Sequence, residues 1–460
     1  MKIQATSKTT SRADMVGNTV LAVILILVPF HALLTVAGSL VFGHYELLRL
    51  WKEFLLLVVT PLAAWRLWKS PDIWRTMRRG WLFWALVSYV ALQLVLGLSA
   101  LYKGQVNLYA MGYAWVVNIR PVLVLLLAWI FALSSPWLYR HWKQLLLVPA
   151  VIVMLIGLLQ AFVLPYDAFS RIGYGPDTIE AYETVDNKID YIRIQSSLRG
   201  ANPLGAYLVL VLAAVAALLQ RGWGRGRDRR HINLAMAGLL AAGTVVLLFT
   251  YSRSAYIGLA LSVMAILALL ATSRMARRRL VWGMAVLAVL AAGGILVLRD
   301  NDYVQNALFH SDETSTSATS SNEVRSSVML QGFRDVLAEP FGRGPGTAGP
   351  ASVHNDRPAR VAENYYLQVG QETGWLGLGL FITILASLAR RLWRRRDDAL
   401  ARSLLAALVG LSFVNLVQHA WTDDTLAMLW WGFAGIALAI PWKRPERPVQ
   451  RLDANGETEE

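Results

Sequence analysis

The chain has no cysteine, which excludes disulfides, thiolate metal sites and cysteine nucleophiles. Charge is scarce: Asp, Glu, Lys and Arg supply 16% of 460 residues, against roughly 25% in soluble domains. It carries no Walker-type phosphate loop, no His-Glu-x-x-His helix and no serine–histidine–aspartate order that marks a hydrolase. No inverted repeat is visible, which weighs against a transporter or flippase built from two halves. A cleavable leader is not expected either. The first apolar stretch, 16–42, is too long for a signal h-region and lacks a small-residue cleavage site, so it reads as an anchor helix.

What is plentiful is apolar sequence, at 56%. Runs of about 20 apolar residues, each enough to cross a bilayer, recur from end to end. They predict an all-α polytopic membrane protein, one membrane domain over 1–460. The expected helices, about twelve in number, lie near 16–42, 47–68, 81–102, 109–134, 143–164, 200–220, 232–250, 253–272, 280–298, 364–389, 401–421 and 425–441. Basic residues set the orientation, because Lys and Arg are retained in cytoplasmic loops. Of the 44 basic residues, 29 fall on every second connection, including Arg66–Arg79, Arg221–Arg230, Arg274–Arg279, Arg390–Arg402 and the tail 442–460. An odd number of crossings between two clusters would break that alternation. The expectation is a bacterial inner-membrane protein with both termini in the cytoplasm. The net charge of +14 is then a topology signal with contact to anionic lipids. Basic residues scattered along the membrane edge do not form a nucleic-acid face.

Two connections on the opposite, periplasmic side are too long to be simple connectors. The first is 165–199. The second, 299–363, lies between the ninth and tenth helices. It holds a Ser/Thr-rich stretch from 311 to 322, then an amphipathic helix over 323–339, placed on the membrane surface or over a cavity. Next comes Pro340-Phe341-Gly342-Arg343-Gly344-Pro345-Gly346, whose alternate glycines permit tight turns and close backbone approach. Active chemistry is expected on this side.

Arginines at membrane depth are functional candidates by default. Arg253 and Arg199 stand out, with Arg193 and Arg120 behind them; the plain alternatives are snorkelling and ion pairing. Lys52 and Glu53 read as structural, and Asp423-Asp424 as a solvated turn. Several arginines on one side suit an anionic ligand, since guanidinium grips phosphate bidentately. For a base the candidates are Glu363, at the head of the tenth helix where the dipole favours ionisation, and His354. His310 and His419 rank lower. Asp300-Asn301-Asp302 is a low-specificity metal motif; no metal or cofactor is expected.

These residues form an ordered set: Arg199-Gly200 with Asn202-Pro203-Leu204-Gly205, Ser252-Arg253-Ser254-Ala255-Tyr256, Arg325, Pro340 to Gly344, Glu363-Asn364 with Leu367, and Glu372-Thr373-Gly374-Trp375-Leu376-Gly377. The set resembles the superfamily of O-antigen ligases and O-antigen polymerases over about 190–440. The resemblance implies an all-helical glycosyltransferase of the C type (GT-C) in lipopolysaccharide or surface-polysaccharide assembly. It would take a glycan from undecaprenyl diphosphate and pass it to a saccharide or lipid A-core acceptor, without nucleotide sugar or metal. Other membrane proteins of polysaccharide assembly would be its partners. The family's diphosphate-binding arginines carry over to Arg199 and Arg253, and through weaker matches to Arg325, Arg343 and Arg193. Where the ligases have His-Asn this chain has Glu363-Asn364, which looks more like the polymerase branch; His354-Asn355 is the other candidate pair. A polysaccharide-lipid flippase or transporter is the alternative of a different class.

Overall fold

A computed structural model describes residues 11–185, 188–222, 227–271 and 321–441, with isolated positions between 273 and 297. The regular elements among the described residues are helices apart from one small hairpin. Helices suit lipid because each backbone polar group is satisfied within its own segment. Nine helical stretches among the described residues are long and apolar enough to cross a membrane, the first of them, Arg12–Phe42, made of two consecutive helices. They match nine of the twelve expected spans. Of the other three, the one near 47–68 is the 19-residue helix α4 (Trp51–Lys69), which carries Lys52, Glu53, Arg66 and Lys69. The last is the 15-residue helix α15 (Asp424–Leu438). The span at 280–298, the acidic motif at 300–302, His310 and the tail lie outside the described residues.

The anchor expected as one helix over 16–42 is two. α1 (Arg12–Leu27) and α2 (His31–Phe42) meet at a 3-10 turn holding Pro29, whose ring cannot donate the helical hydrogen bond. After α3 (Tyr45–Leu48), α4, α5 (Pro71–Arg78) and α6 (Trp81–Tyr102), the helices α7 (Leu108–Ser134) and α8 (Trp137–Phe162) follow. The connection after α8 folds into the hairpin β1 (Glu183–Val185) and β2 (Lys188–Arg193), paired antiparallel. It is pinned to the helices. The N–H groups of Gln195 and Ser196 both donate to Gln160 Oε1, at 3.1 and 2.8 Å, and Ser197 Oγ donates to the Pro29 carbonyl at 2.8 Å. This docking fixes where Arg193 and Arg199 stand.

Then come α9 (Ala201–Gly222), α10 (Arg227–Leu248), α11 (Arg253–Leu270), α12 (Ser321–Ala338), α13 (Tyr365–Trp393), α14 (Ala399–Val417) and α15. α15 is the core: every residue from Thr425 to Leu438 is buried. At about 1.5 Å per residue it is shorter than the hydrocarbon layer of about 30 Å, and protein rather than lipid surrounds it. Its glycines let it lie against α7, where a Cβ on Gly435 would sit 2.3 Å from the Leu125 carbonyl. α12 covers most of the stretch expected as an amphipathic helix and starts two residues earlier. Val336 packs against Gly370 of α13, while Leu330, Phe333 and Leu337 remain exposed.

α13 is broken at Gly374, which has φ +65°. The Pro340–Gly346 loop enters the break: the N–H groups of Arg343 and Gly344 donate to the carbonyls of Gln371 and Glu372, and Trp375 N–H to that of Pro340. A Cβ at Gly374 would lie 2.2 Å from the Pro340 oxygen. Gly374→Ala therefore combines a left-handed backbone with a backbone collision. It is expected to lower folded yield and thermal stability sharply in detergent, as read by size-exclusion chromatography on heated samples; a monodisperse variant melting with the wild type would refute this account of the loop.

Candidate functional site

α4, α7, α9, α11, α13 and α15 all begin at the end of the bundle that carries the hairpin and the glycine loop. Helix N-termini present unpaired N–H groups and a positive dipole end, which together favour anions. Arg199 lies two residues before α9. Its Nε pairs with Asp423 Oδ2 at 3.1 Å, and its side chain stays 43% exposed while the aspartate is buried. Asp423 also accepts the Leu426 N–H at 3.0 Å, capping α15. Burial works against the Arg199 charge, but Asp423, Asp424 and Tyr113 outweigh it and hold its pKa above the ordinary arginine value. It is a fixed cation with solvent access. The Asp423-Asp424 pair is thus not the solvated turn expected, because the surrounding helix ends enclose it.

The pocket beside Arg199 is small, about 10 Å³, room for about one water molecule. Tyr113, Asn118, Gln368 and Thr422 line it. Asn118 Nδ2 donates to Glu372 Oε2 at 2.8 Å, and Gly346 N–H donates to Glu372 Oε1 at 2.8 Å. The glycine loop therefore wraps a buried carboxylate, and Gly342, Gly344 and Gly346 all have positive φ there. Glu372, Asn118, Gln368 and Tyr113 were not singled out as site residues in the sequence. A polar Asn118 two positions before Arg120 in an apolar helix was the available signal.

Tyr113 and Val117 also border a second, larger cavity of about 690 Å³. Its floor is a charge network. Arg120 pairs with Glu53 at 2.6 Å and with Asp424, and Lys52 Nζ lies 2.8 Å from Asp424 and 3.4 Å from Glu53. Of the alternatives for Arg120, the structure shows ion pairing.

His354 ends a 3-10 turn, Pro350–His354, whose first two residues line the Arg199 pocket. Its ring lies 5.0 Å from that of Tyr109, edge to face, and 4.9 Å from that of Tyr113. Asn107 holds this segment, donating from Nδ2 to the His354 carbonyl at 2.9 Å. One tyrosine thus separates His354 from the Arg199 pocket. Glu363 precedes the N-cap of α13, and the capping itself is done by Asn364, whose side chain accepts the Leu367 N–H at 3.0 Å. Arg253 is the first residue of α11, after Ser252 at the N-cap. Arg193 is held in structure, donating from Nε to the Thr250 carbonyl at 2.9 Å and from Nη2 to Asn202 at 2.7 Å, which ties the heads of α9 and α11. Arg343 pairs with Glu339, its side chain 42% exposed. Arg325 lies on α12, its side chain outside those described.

His419 stands near Arg199. Burial, helped by Arg199, lowers its pKa from 6.5 to about 4. The imidazole is neutral at pH 7, and a folded value below the unfolded one means that its stabilising contribution is full above about 6.5 and is lost as pH falls towards 4. His419→Gln is expected to flatten the melting temperature against pH across that window. Parallel curves for the two proteins would sink the assignment.

The fold and this end of it define a polytopic, all-helical membrane protein with arginines, helix N-termini and an imidazole gathered around two cavities that share Tyr113 and Val117. Residues 237–382 match the family model described as O-antigen ligase, which supports the resemblance to the superfamily of O-antigen ligases and polymerases. The matched stretch includes Arg253, Arg325, Arg343, His354, Glu363 and Glu372, and ends short of Arg193 and Arg199 on the N-terminal side. No curated protein matches the chain.

Proposed function

We propose that the protein is a periplasmic-face glycosyltransferase of the inner membrane. It moves a glycan from undecaprenyl diphosphate to a saccharide acceptor in surface-polysaccharide assembly, as a polymerase or as a lipid A-core ligase. The observation that carries the reading is Arg199: a fixed, solvent-accessible cation among helix N-termini, one tyrosine from His354, in a chain that resembles this superfamily. The acceptor hydroxyl oxygen attacks the anomeric carbon, and the bond from that carbon to the diphosphate oxygen breaks. The hydroxyl proton passes to the base, for which His354 and Glu363 are the two candidates. Undecaprenyl diphosphate departs with the bonding electrons, and Arg199 with Arg253 stabilises the charge that develops on it. Arg343 and Arg325 are further candidates for the diphosphate, and Arg193 supports the corner on which Arg253 stands.

The test is glycan analysis of a deletion strain, with lipid A-linked and undecaprenyl-linked material separated. Full-length polymer stranded on undecaprenyl diphosphate identifies a ligase. Single repeat units alone identify a polymerase. No change in either pool sinks the reading.

A further inference from the structure

The larger cavity differs in character from the Arg199 pocket. Its cations, Arg49, Lys52 and Arg120, are matched by Glu46, Glu53 and Asp424 on the same lining. Arg49 pairs with Glu46 at 3.0 Å, and the other four charges form the floor network. A diphosphate entering there would be set against three carboxylates, whereas Arg199 nearby faces one, Asp423, through Nε and keeps 43% of its side chain exposed. A neutral polyhydroxyl ligand meets no such conflict. Glu53 and Asp424 line the cavity with 18% and 24% of their side chains exposed, and carboxylate oxygens already paired with Lys52 and Arg120 retain further lone pairs. Such oxygens accept from sugar hydroxyls. Tyr109 and Tyr113 supply aromatic wall, and the volume is in the range of small-molecule sites, about 300–1,000 Å³. The rim is apolar and exposed: Leu50, Leu108 and Val116 are 42%, 68% and 39% accessible. The cavity therefore adjoins both the lipid and, through Tyr113, the Arg199 pocket.

We propose that this cavity holds the saccharide end of a lipid-anchored acceptor, with the anchor left in the bilayer beside the apolar rim. The inference rests on the glycosyltransferase reading and names the acceptor's place within it. Seated there, an acceptor hydroxyl reaches the junction at Tyr113, between His354 and Arg199. The acceptor is lipid A-core if the protein is a ligase and an undecaprenyl-linked repeat if it is a polymerase.

Gly112 gives a clean test, because it borders the cavity and an added Cβ meets no atom within 4 Å. Gly112→Trp fills the space without a clash at its root. The full chain, purified and reconstituted, is assayed with donor and acceptor glycolipids from the deletion strain varied independently. The expected result is an acceptor KM raised at least about ten-fold (about 1.4 kcal/mol) with the donor KM unchanged. A raised donor KM, or no change in either, overturns the proposal. A second readout is independent of turnover: p-benzoylphenylalanine in place of Tyr109, irradiated in cells, is expected to crosslink a glycolipid through its sugar. The mass of the adduct separates lipid A-core from an undecaprenyl-linked repeat. If the reconstituted wild type transfers nothing, the function reading fails, and the cavity assignment then stands or falls on this adduct; its absence overturns it.

Discussion

Arg199→Ala is expected to lower glycan transfer by about 10²- to 10³-fold, the range for removing one preorganised group that stabilises developing negative charge, while leaving the fold nearly intact. The side chain is 43% exposed and is tied through one ion pair to Asp423. That aspartate keeps its hydrogen bond from the Leu426 N–H when the guanidinium is gone. Arg199→Lys retains a point charge without the planar fork and should recover part of the activity. The measurement is polymer length and amount at matched protein levels, with the melting temperature in detergent taken on the same preparations. Full activity in the alanine variant would remove Arg199 from the mechanism. A lost fold would make it a structural residue.

The opposite balance is expected at Arg120. This guanidinium is 5% exposed and joins Glu53 of α4 to Asp424 of α15 from the middle of α7. Arg120→Ala leaves two carboxylates facing Lys52 alone, and removing one member of a buried ion-pair network costs about 3–5 kcal/mol. The melting temperature and the yield of folded protein should both fall. The double variant Arg120→Met with Asp424→Leu removes both partners and leaves Lys52 beside Glu53 at 3.4 Å. Replacing a buried pair by apolar side chains is often neutral, so the double variant is expected to be more stable than Arg120→Ala. A double variant that melts no higher than the single one would show that Arg120 holds the bundle through packing and not through charge. Compared with Arg199→Ala, the two experiments separate an arginine available to a ligand from one that assembles the cavity floor.

The membrane class, nine of the spans, a helix before the glycine loop and the resemblance to the superfamily were legible in the sequence. Hydrophobic runs of bilayer length and the order of short motifs are local signals, and local signals survive in one dimension. Arg199 and His354 could be named as candidates, an arginine before an apolar helix start and a histidine in the loop upstream of Glu363. What only the tertiary structure decided is which of these groups share a space. Asp423 and Asp424 have the sequence look of a solvated turn, but α15 is too short to reach the surface and draws them inward, one onto Arg199 and the other into the Arg120 network. Glu372 belongs to a short motif in the sequence, but its role as a buried acceptor shows only when the glycine loop, more than twenty residues earlier, folds back at Gly374 and donates an N–H to it. Tyr113 has no motif at all, and its importance comes from standing between two cavities. The sequence by itself determined what each segment buries and therefore which segments enter the membrane. Partners distant along the chain depend on how the helices pack, and that is why the pairing of charges and the shape of the cavities were settled only in three dimensions.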